Sequence, residues 1–245
     1  MSPAVQLFHT CLVNEVAPEV GMAAVRVLER RGFDVFVPRD QTCCGQPAYN
    51  AGFHDEARAV ARHAVAVLEA VPGPIVVPSG SCADMIVHQY GVLLHDDPAW
   101  HERARAVASR TRELSQFLFE SRPPGPPAPP GTAAPRVAYH PSCHLSRGLG
   151  VREPPLALLA ETGVDLVCFD DQDECCGFGG VFSIKMPEIS ASIMDRKLQA
   201  LEKARPERLV SCDLGCLLHL GGGLRRRRSP IKVQHLAEAL DEAGP

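Results

Sequence analysis

The sequence is poor in aromatic residues, with nine Phe, three Tyr and one Trp among 245 residues. That scarcity disfavours a base-stacking surface for nucleic acid. Basic charge is not in excess either: the net charge is -4 at pH 7, whereas phosphate neutralisation needs a basic face. No nucleic-acid partner is expected. No uncharged apolar run approaches the roughly 20 residues of a membrane helix, so no transmembrane segment is expected. Met1-Ser2-Pro3-Ala4 has neither a basic segment nor a long apolar one, which argues against a signal peptide. A cytoplasmic protein is the expectation, and there disulfides are rare. The composition, 45% hydrophobic and 22% charged, is that of a chain with a true core. Its length suits one large domain or two modest ones.

Against those absences stand ten cysteines. In a cytoplasmic chain they need explanation by metal, redox chemistry or burial. The tripeptide Cys43-Cys44-Gly45 returns as Cys175-Cys176-Gly177. Cys11 precedes the first copy and Cys143 the second, each 32 positions before the pair's first cysteine. Cys82 and Cys216 follow downstream. Eight cysteines thus form two matched sets of four: Cys11, Cys43, Cys44 and Cys82, then Cys143, Cys175, Cys176 and Cys216.

The elements around them repeat too. Residues 5–10 read as a strand ending before Cys11. Pro18 opens a helix to about Arg31. Residues 33–37 form a strand, a loop carries the first pair, and a helix runs from about Phe53 to Ala70. Residues 74–78 are a third strand, leading to Cys82 and a helix toward Tyr90. A further helix is predicted from about Pro98 to Glu120. Residues 121–135 contain seven prolines and read as an extended spacer. Strands at 136–140, 164–169 and 208–212 then lead to Cys143, the second pair and Cys216. A helix from about Pro187 to Ala204 places Ile189, Ile193, Leu198 and Leu201 inward, and Asp213 is placed to cap the helix near Cys216. Residues 235–240 echo 113–118. The expected division is a first repeat over 1–120, a linker over 121–135 and a second repeat over 136–245. The expected fold is α/β: two pseudo-symmetric halves, each a short, mostly parallel sheet flanked by helices. The cysteine loops fall at the strand C-terminal ends.

Four thiolates suit zinc or an iron–sulfur cluster. Structural zinc is commonly held by Cys-x-x-Cys knuckles. Adjacent cysteines point apart and more readily serve two irons of one cluster. The following glycine permits a positive φ and a close backbone approach to sulfur. Cys168 and Cys212 lie outside the sets and read as buried strand residues. His9, His140 and His144 flank the first cysteines. They read as loop histidines, with a hydrogen bond to a cluster or a proton relay as the sharper alternative. Phe178-Gly179-Gly180 lacks a phosphate-loop pattern and reads as a tight turn beside the site. Arg225–Arg228 read as a solvated run or as a docking patch for an acidic partner.

Duplicated Cys…Cys-Cys-Gly…Cys resembles the cysteine-rich (CCG) domain family. The match is carried by Cys43-Cys44-Gly45-Gln46-Pro47, Pro78-Ser79-Gly80-Ser81-Cys82, His140-Pro141-Ser142-Cys143-His144 and Cys175-Cys176-Gly177-Phe178-Gly179-Gly180. The family includes the B subunit of heterodisulfide reductase and the iron–sulfur subunit of glycolate oxidase. Two repeats without a ferredoxin domain look most like its lactate-utilisation branch. The resemblance implies iron–sulfur binding and protein partners in a three-protein system oxidising L-lactate to pyruvate. The chain would be a non-autonomous electron-transfer subunit. The family motif ends in Cys-x-x-Cys, but Ser79 and Asp213 stand at the first of those positions. Four-cysteine sets then imply one or two ordinary 4Fe–4S clusters rather than the five-cysteine, non-cubane kind. Two other classes remain: an interaction protein stabilised by zinc or a single cluster, and a thiol–disulfide reductase subunit.

Overall fold

The computed structural model describes residues 2–121 and 134–244. The first half builds a parallel sheet from β1 (Ala4–Leu7), β2 (Asp34–Phe36), β3 (Ile75–Val77) and β4 (Thr111–Glu113), in the order β2-β1-β3-β4. The second half repeats it with β5 (Arg136–Tyr139), β6 (Asp165–Leu166), β7 (Arg208–Ser211) and β8 (Lys232–His235), in the order β6-β5-β7-β8. Helices link the strands, as parallel pairing requires. The fold is the expected α/β pair of pseudo-symmetric halves. No helix among the described residues is long and apolar enough to cross a membrane. Most of the proline-rich 121–135 stretch, read as a spacer, lies outside the described residues.

Each sheet has a fourth strand that the sequence pattern does not announce. The expected helix from Pro98 to Glu120 is two helices, Pro98–Ser109 and Leu114–Ser121, separated by β4. Thr111, Arg112 and Glu113 pair with Ile75, Val76 and Val77. So short a strand barely disturbs a helical spacing of apolar residues, so only its pairing reveals it. β8 precedes the helix Leu236–Glu242 in the same way. β6 is shorter than the expected 164–169 strand, and Cys168, expected in its core, is exposed beyond it. The helix Pro187–Ala204 has the expected bounds, but Ile189 is exposed, and Met194 joins Leu198 and Leu201 in the buried set.

Strand alternation divides the core into three parts. Val5, Leu7 and Val76 of the first sheet, with Val137, Tyr139 and Val210 of the second, point into one shared cluster. Ile75 and Val77 point the other way, onto Ala57, Ala61, Ala64 and Leu68 of the helix His54–Glu69. Ala138 and Leu209 likewise meet Leu198 and Leu201. The shared face is filled by helices from both halves. Pro18–Arg30 packs on Leu236–Glu242, and Leu114–Ser121 packs on Glu153–Glu161. This reciprocal packing turns the C-terminal ends of β1 to β3 and of β5 to β7 toward a common cleft.

Candidate metal centre

Every cysteine of the two sets follows a strand. Cys11 begins the helix Cys11–Val16 just beyond β1, and Thr10 caps it through Oγ1. Cys43 and Cys44 lie in the loop after β2. Cys82 lies in the short helix Gly80–Asp84 after β3. In the second half Cys143 leads into a π-helical turn, His144–Gly148, after β5. Cys175 and Cys176 follow β6, and Cys216 lies in the helix Leu214–Arg226 after β7. The strand ends carry the thiols because their backbone ladders stop there and successive loops converge.

The structure brings all eight cysteines to the wall of one cavity of about 270 Å³ between the halves. Two separate sites, one per half, were the simpler expectation, and the reciprocal packing of the halves joins their mouths. Within the sets, Cys11 and Cys43 sulfurs are 3.7 Å apart, Cys44 and Cys82 3.2 Å, and Cys176 and Cys216 3.2 Å. These are contacts between free thiols, well beyond the S–S bond of about 2.05 Å. Backbone amides also aim at sulfur. Gly45 N–H donates to Cys43 Sγ at 3.4 Å, Gly177 N–H to Cys175 Sγ at 3.3 Å, and Phe178 N–H to Cys176 Sγ at 3.4 Å. Such donors favour thiolate over thiol.

The two glycines have the anticipated positive φ, +84° at Gly45 and +91° at Gly177. This αL turn carries each amide back to the sulfur two residues earlier. In each set one thiol is driven to ionise. Hydrogen bonds from Cys11 and Cys44 lower Cys43 to about 2, and those from Cys143 and Cys176 lower Cys175 to about 2. The donating partners Cys11, Cys44, Cys143 and Cys176 are pushed up in turn, with burial adding to the effect.

Ser79 and Asp213, at the positions of the absent cysteines, meet across the halves. Ser79 Oγ donates to Asp213 Oδ1 at 2.9 Å, and Ser81 donates to the same oxygen from its Oγ at 2.7 Å and its N–H at 3.2 Å. Ser142 Oγ donates to Oδ2. Asp213 does occupy the N-cap position of Leu214–Arg226, but its carboxylate makes no cap bond there. It serves as a cross-half clasp, and both its oxygens already accept hydrogen bonds.

His140 is the functional candidate that sequence reasoning under-read. Expected as a loop histidine, it is fully buried and has no hydrogen-bond partner on either ring nitrogen. A nitrogen of its ring and the sulfurs of Cys176 and Cys216 all lie within 4.8 Å of one another. Burial lowers its pKa to about 3, so the ring is neutral with a free lone pair. An unmet buried polar group costs about 1–3 kcal/mol. The available signal was register: the repeat places Phe8 where His140 stands. His144 lines the cavity. His9 instead bonds locally, its Nδ1 3.2 Å from the Thr10 carbonyl. Lys197 is a buried cation of this half, donating to the carbonyls of Asp171 and Gln172 at 2.8 and 2.9 Å. Burial lowers it, while the thiols of the second set, Cys176 foremost, act in the opposite direction.

Cys212 is buried as expected, its sulfur 3.5 Å from the Tyr139 hydroxyl, and does not line the cavity. Phe178, Gly179 and Gly180 form a turn at the cavity wall, in keeping with the non-phosphate reading. Arg225 and Arg226 end the helix Leu214–Arg226, where positive charge complements the helix dipole. Arg227 is engaged by Asp195 and Glu202 at 2.9 and 3.0 Å.

The donor chemistry is soft. Thiols dominate the wall, amide N–H groups support them, and the one acidic lining residue, Asp213, is occupied. Such a set selects zinc or iron–sulfur chemistry over magnesium or calcium. Residues 5–87 and 137–221 match the cysteine-rich domain, CCG, and the chain belongs to that family. Within it the chain is similar to lactate utilization protein A of Exiguobacterium sp., 42% identical over 98% of each chain. It is also similar to that of Halalkalibacterium halodurans, 42% identical over 97% of this chain and 96% of the relative. Among solved structures, a hypothetical protein from Helicobacter pylori shares the fold with a TM-score of 0.63 at 12% identity. That likeness covers 99% of this chain and 49% of the other.

Proposed function

We propose that the chain is an iron–sulfur electron-transfer subunit of a complex oxidising L-lactate to pyruvate. The observation that carries this reading is the lining of one cavity by two four-thiol sets, with backbone amides directed at their sulfurs. Cys11, Cys43, Cys44 and Cys82 would hold one cluster, and Cys143, Cys175, Cys176 and Cys216 the other. A 4Fe–4S cluster supplies one-electron redox chemistry tuned by hydrogen bonds to sulfur and by solvent access. The chain's own contribution is to hold the thiolates, aim Gly45, Gly177 and Phe178 N–H groups at them, and restrict water. Lactate oxidation releases two electrons and two protons. On this reading a protein partner of the complex oxidises lactate, and this chain carries its electrons onward. The names of the similar proteins support the lactate assignment. Arg225, Arg226 and Arg228 are exposed and offer an acidic partner a docking edge, with Arg227 already engaged within the chain.

A second reading has its own observation. The compact trio of His140, Cys176 and Cys216 suits a single tetrahedral ion such as zinc in the second half. Metal and acid-labile sulfide analysis of anaerobically purified protein separates the two. Iron with matching sulfide supports clusters, whereas zinc without sulfide refutes them. Cys44→Ser and Cys176→Ser, made separately, should each remove about half the iron if each set holds a cluster. Undiminished iron in both variants would refute the ligand sets.

A further inference from the structure

We infer that His140 is a nitrogen ligand of the metal centre at the second thiol set, making the two centres chemically unequal. The inference rests on the iron–sulfur reading above and deepens it. Three observations converge. His140 is completely buried, and both its ring nitrogens lack partners. Its ring lies with Cys176 Sγ and Cys216 Sγ in one group whose ligand atoms are all within 4.8 Å. At the matching position of the first half stands Phe8, equally buried but without a donor atom.

The geometry is that of coordination. Metal–sulfur and metal–nitrogen bonds of about 2.3 and 2.0–2.1 Å place tetrahedral ligand atoms about 3.5–3.8 Å apart. The Cys176–Cys216 separation of 3.2 Å and the 4.8 Å bound on the trio bracket that spacing. His140 follows β5 directly, and its backbone is fixed at the end of that interior strand: its N–H donates to the Val210 carbonyl, and its own carbonyl accepts from Ser211 Oγ. The ring is therefore held by a rigid strand end. A nitrogen donor added to the four thiolates gives the second centre a ligand that the first lacks, so the two centres differ in reduction potential.

The test is electron paramagnetic resonance with nitrogen hyperfine spectroscopy on anaerobically purified, dithionite-reduced full-length protein. Samples are grown with natural or ¹⁵N-labelled histidine. The expected result is a directly bound nitrogen coupling that changes with the label. It disappears in His140→Phe while the signal of the first set persists. His140→Phe installs the residue the first half already accommodates, and circular dichroism checks that it folds. His140→Cys supplies a thiolate instead. It should keep the wild-type iron content, lose the nitrogen coupling and shift the midpoint potential of one centre only. Cluster signals without histidine coupling, or coupling that survives in a folded His140→Phe, would overturn the inference and leave the iron–sulfur reading standing. A protein with neither iron nor labile sulfide would overturn both.

Discussion

The two halves share one topology and one arrangement of four thiols, yet they surround those thiols differently. Both place cysteines at three strand ends, turn through a glycine at positive φ and aim its amide at the sulfur two residues earlier. Those shared features are what gathering four thiols demands. The differences concern charge and space. The helix His54–Glu69 buries only Ala, Val and Leu behind the first set, whereas Pro187–Ala204 buries Lys197 behind the second. By repeat register Phe8 stands where the second half has His140, Ser79 where it has Asp213, and Glu113 ends β4 where His235 ends β8. A duplicated scaffold keeps its thiols and varies their environment, and environment would set the potential of any centre those thiols hold.

The largest stability effect expected from this comparison lies at the two glycines. A Cβ on Gly177 would come within 2.6 Å of the Ser190 carbonyl, on the helix behind the loop. A Cβ on Gly45 would rest at 3.4 Å from Val60 Cγ1, an ordinary contact. Gly45→Ala therefore meets mainly the αL cost of about 1–2 kcal/mol. Gly177→Ala adds overpacking, for a total of about 2–5 kcal/mol. Thermal unfolding of the two variants should show the greater loss at Gly177. Equal losses would mean that the second loop is no more tightly backed than the first.

Glu113 and His235 give the comparison opposite signs. Burial raises Glu113 from 4.5 to about 7 and lowers His235 from 6.5 to about 4. Between pH 4.5 and 7 folded Glu113 keeps a proton that the unfolded chain releases, so its contribution to stability falls as pH rises. Between pH 4 and 6.5 unfolded His235 takes up a proton that the folded ring refuses, so its contribution rises with pH. Each amounts to up to about 3 kcal/mol across its window, and in the intact chain they oppose one another. Urea unfolding from pH 4.5 to 6.5, where the windows overlap, should show stability climbing more steeply with pH in Glu113→Gln than in wild type. In His235→Gln it should fall with pH relative to wild type. Parallel profiles in all three proteins would refute the opposed pair.

Much of this site was legible in the sequence because it repeats. Eight thiols, the strand before each and the positive φ of Gly45 and Gly177 all follow from a duplicated local pattern. What stayed hidden depends on contacts between the halves or on pairing. β4 is too short to break the helical spacing predicted around it, β8 is a short strand just before the last helix, and both exist through their ladders to β3 and β7. Asp213 looks locally like a helix cap, and only the approach of Ser79, Ser81 and Ser142 turns its carboxylate aside. His140 looks like any histidine before a cysteine until folding buries it without a partner. Cys168 misled in the opposite direction: an apolar neighbourhood in sequence suggested burial, but β6 ends at Leu166 and leaves the thiol exposed.

The smallest expected effect concerns how the halves are held together. Beneath the surface Leu236 and Leu240 of one half meet Val20, Ala24 and Val27 of the other in the shared core. At its edge Arg26 and Arg30 both contact Asp241 at 2.5 Å. These cations keep the Asp241 carboxyl below the usual range, with Arg26 the larger influence. The core excludes water and acts through buried area, whereas the rim pairs are solvated and screened. Asp241→Ala should therefore cost less than about 1 kcal/mol at low ionic strength. Raising the salt to about 1 M, where the screening length is near 3 Å, should erase most of that loss. A larger, salt-insensitive loss in urea unfolding would place the adhesion of the halves in the ionic rim instead of the apolar core.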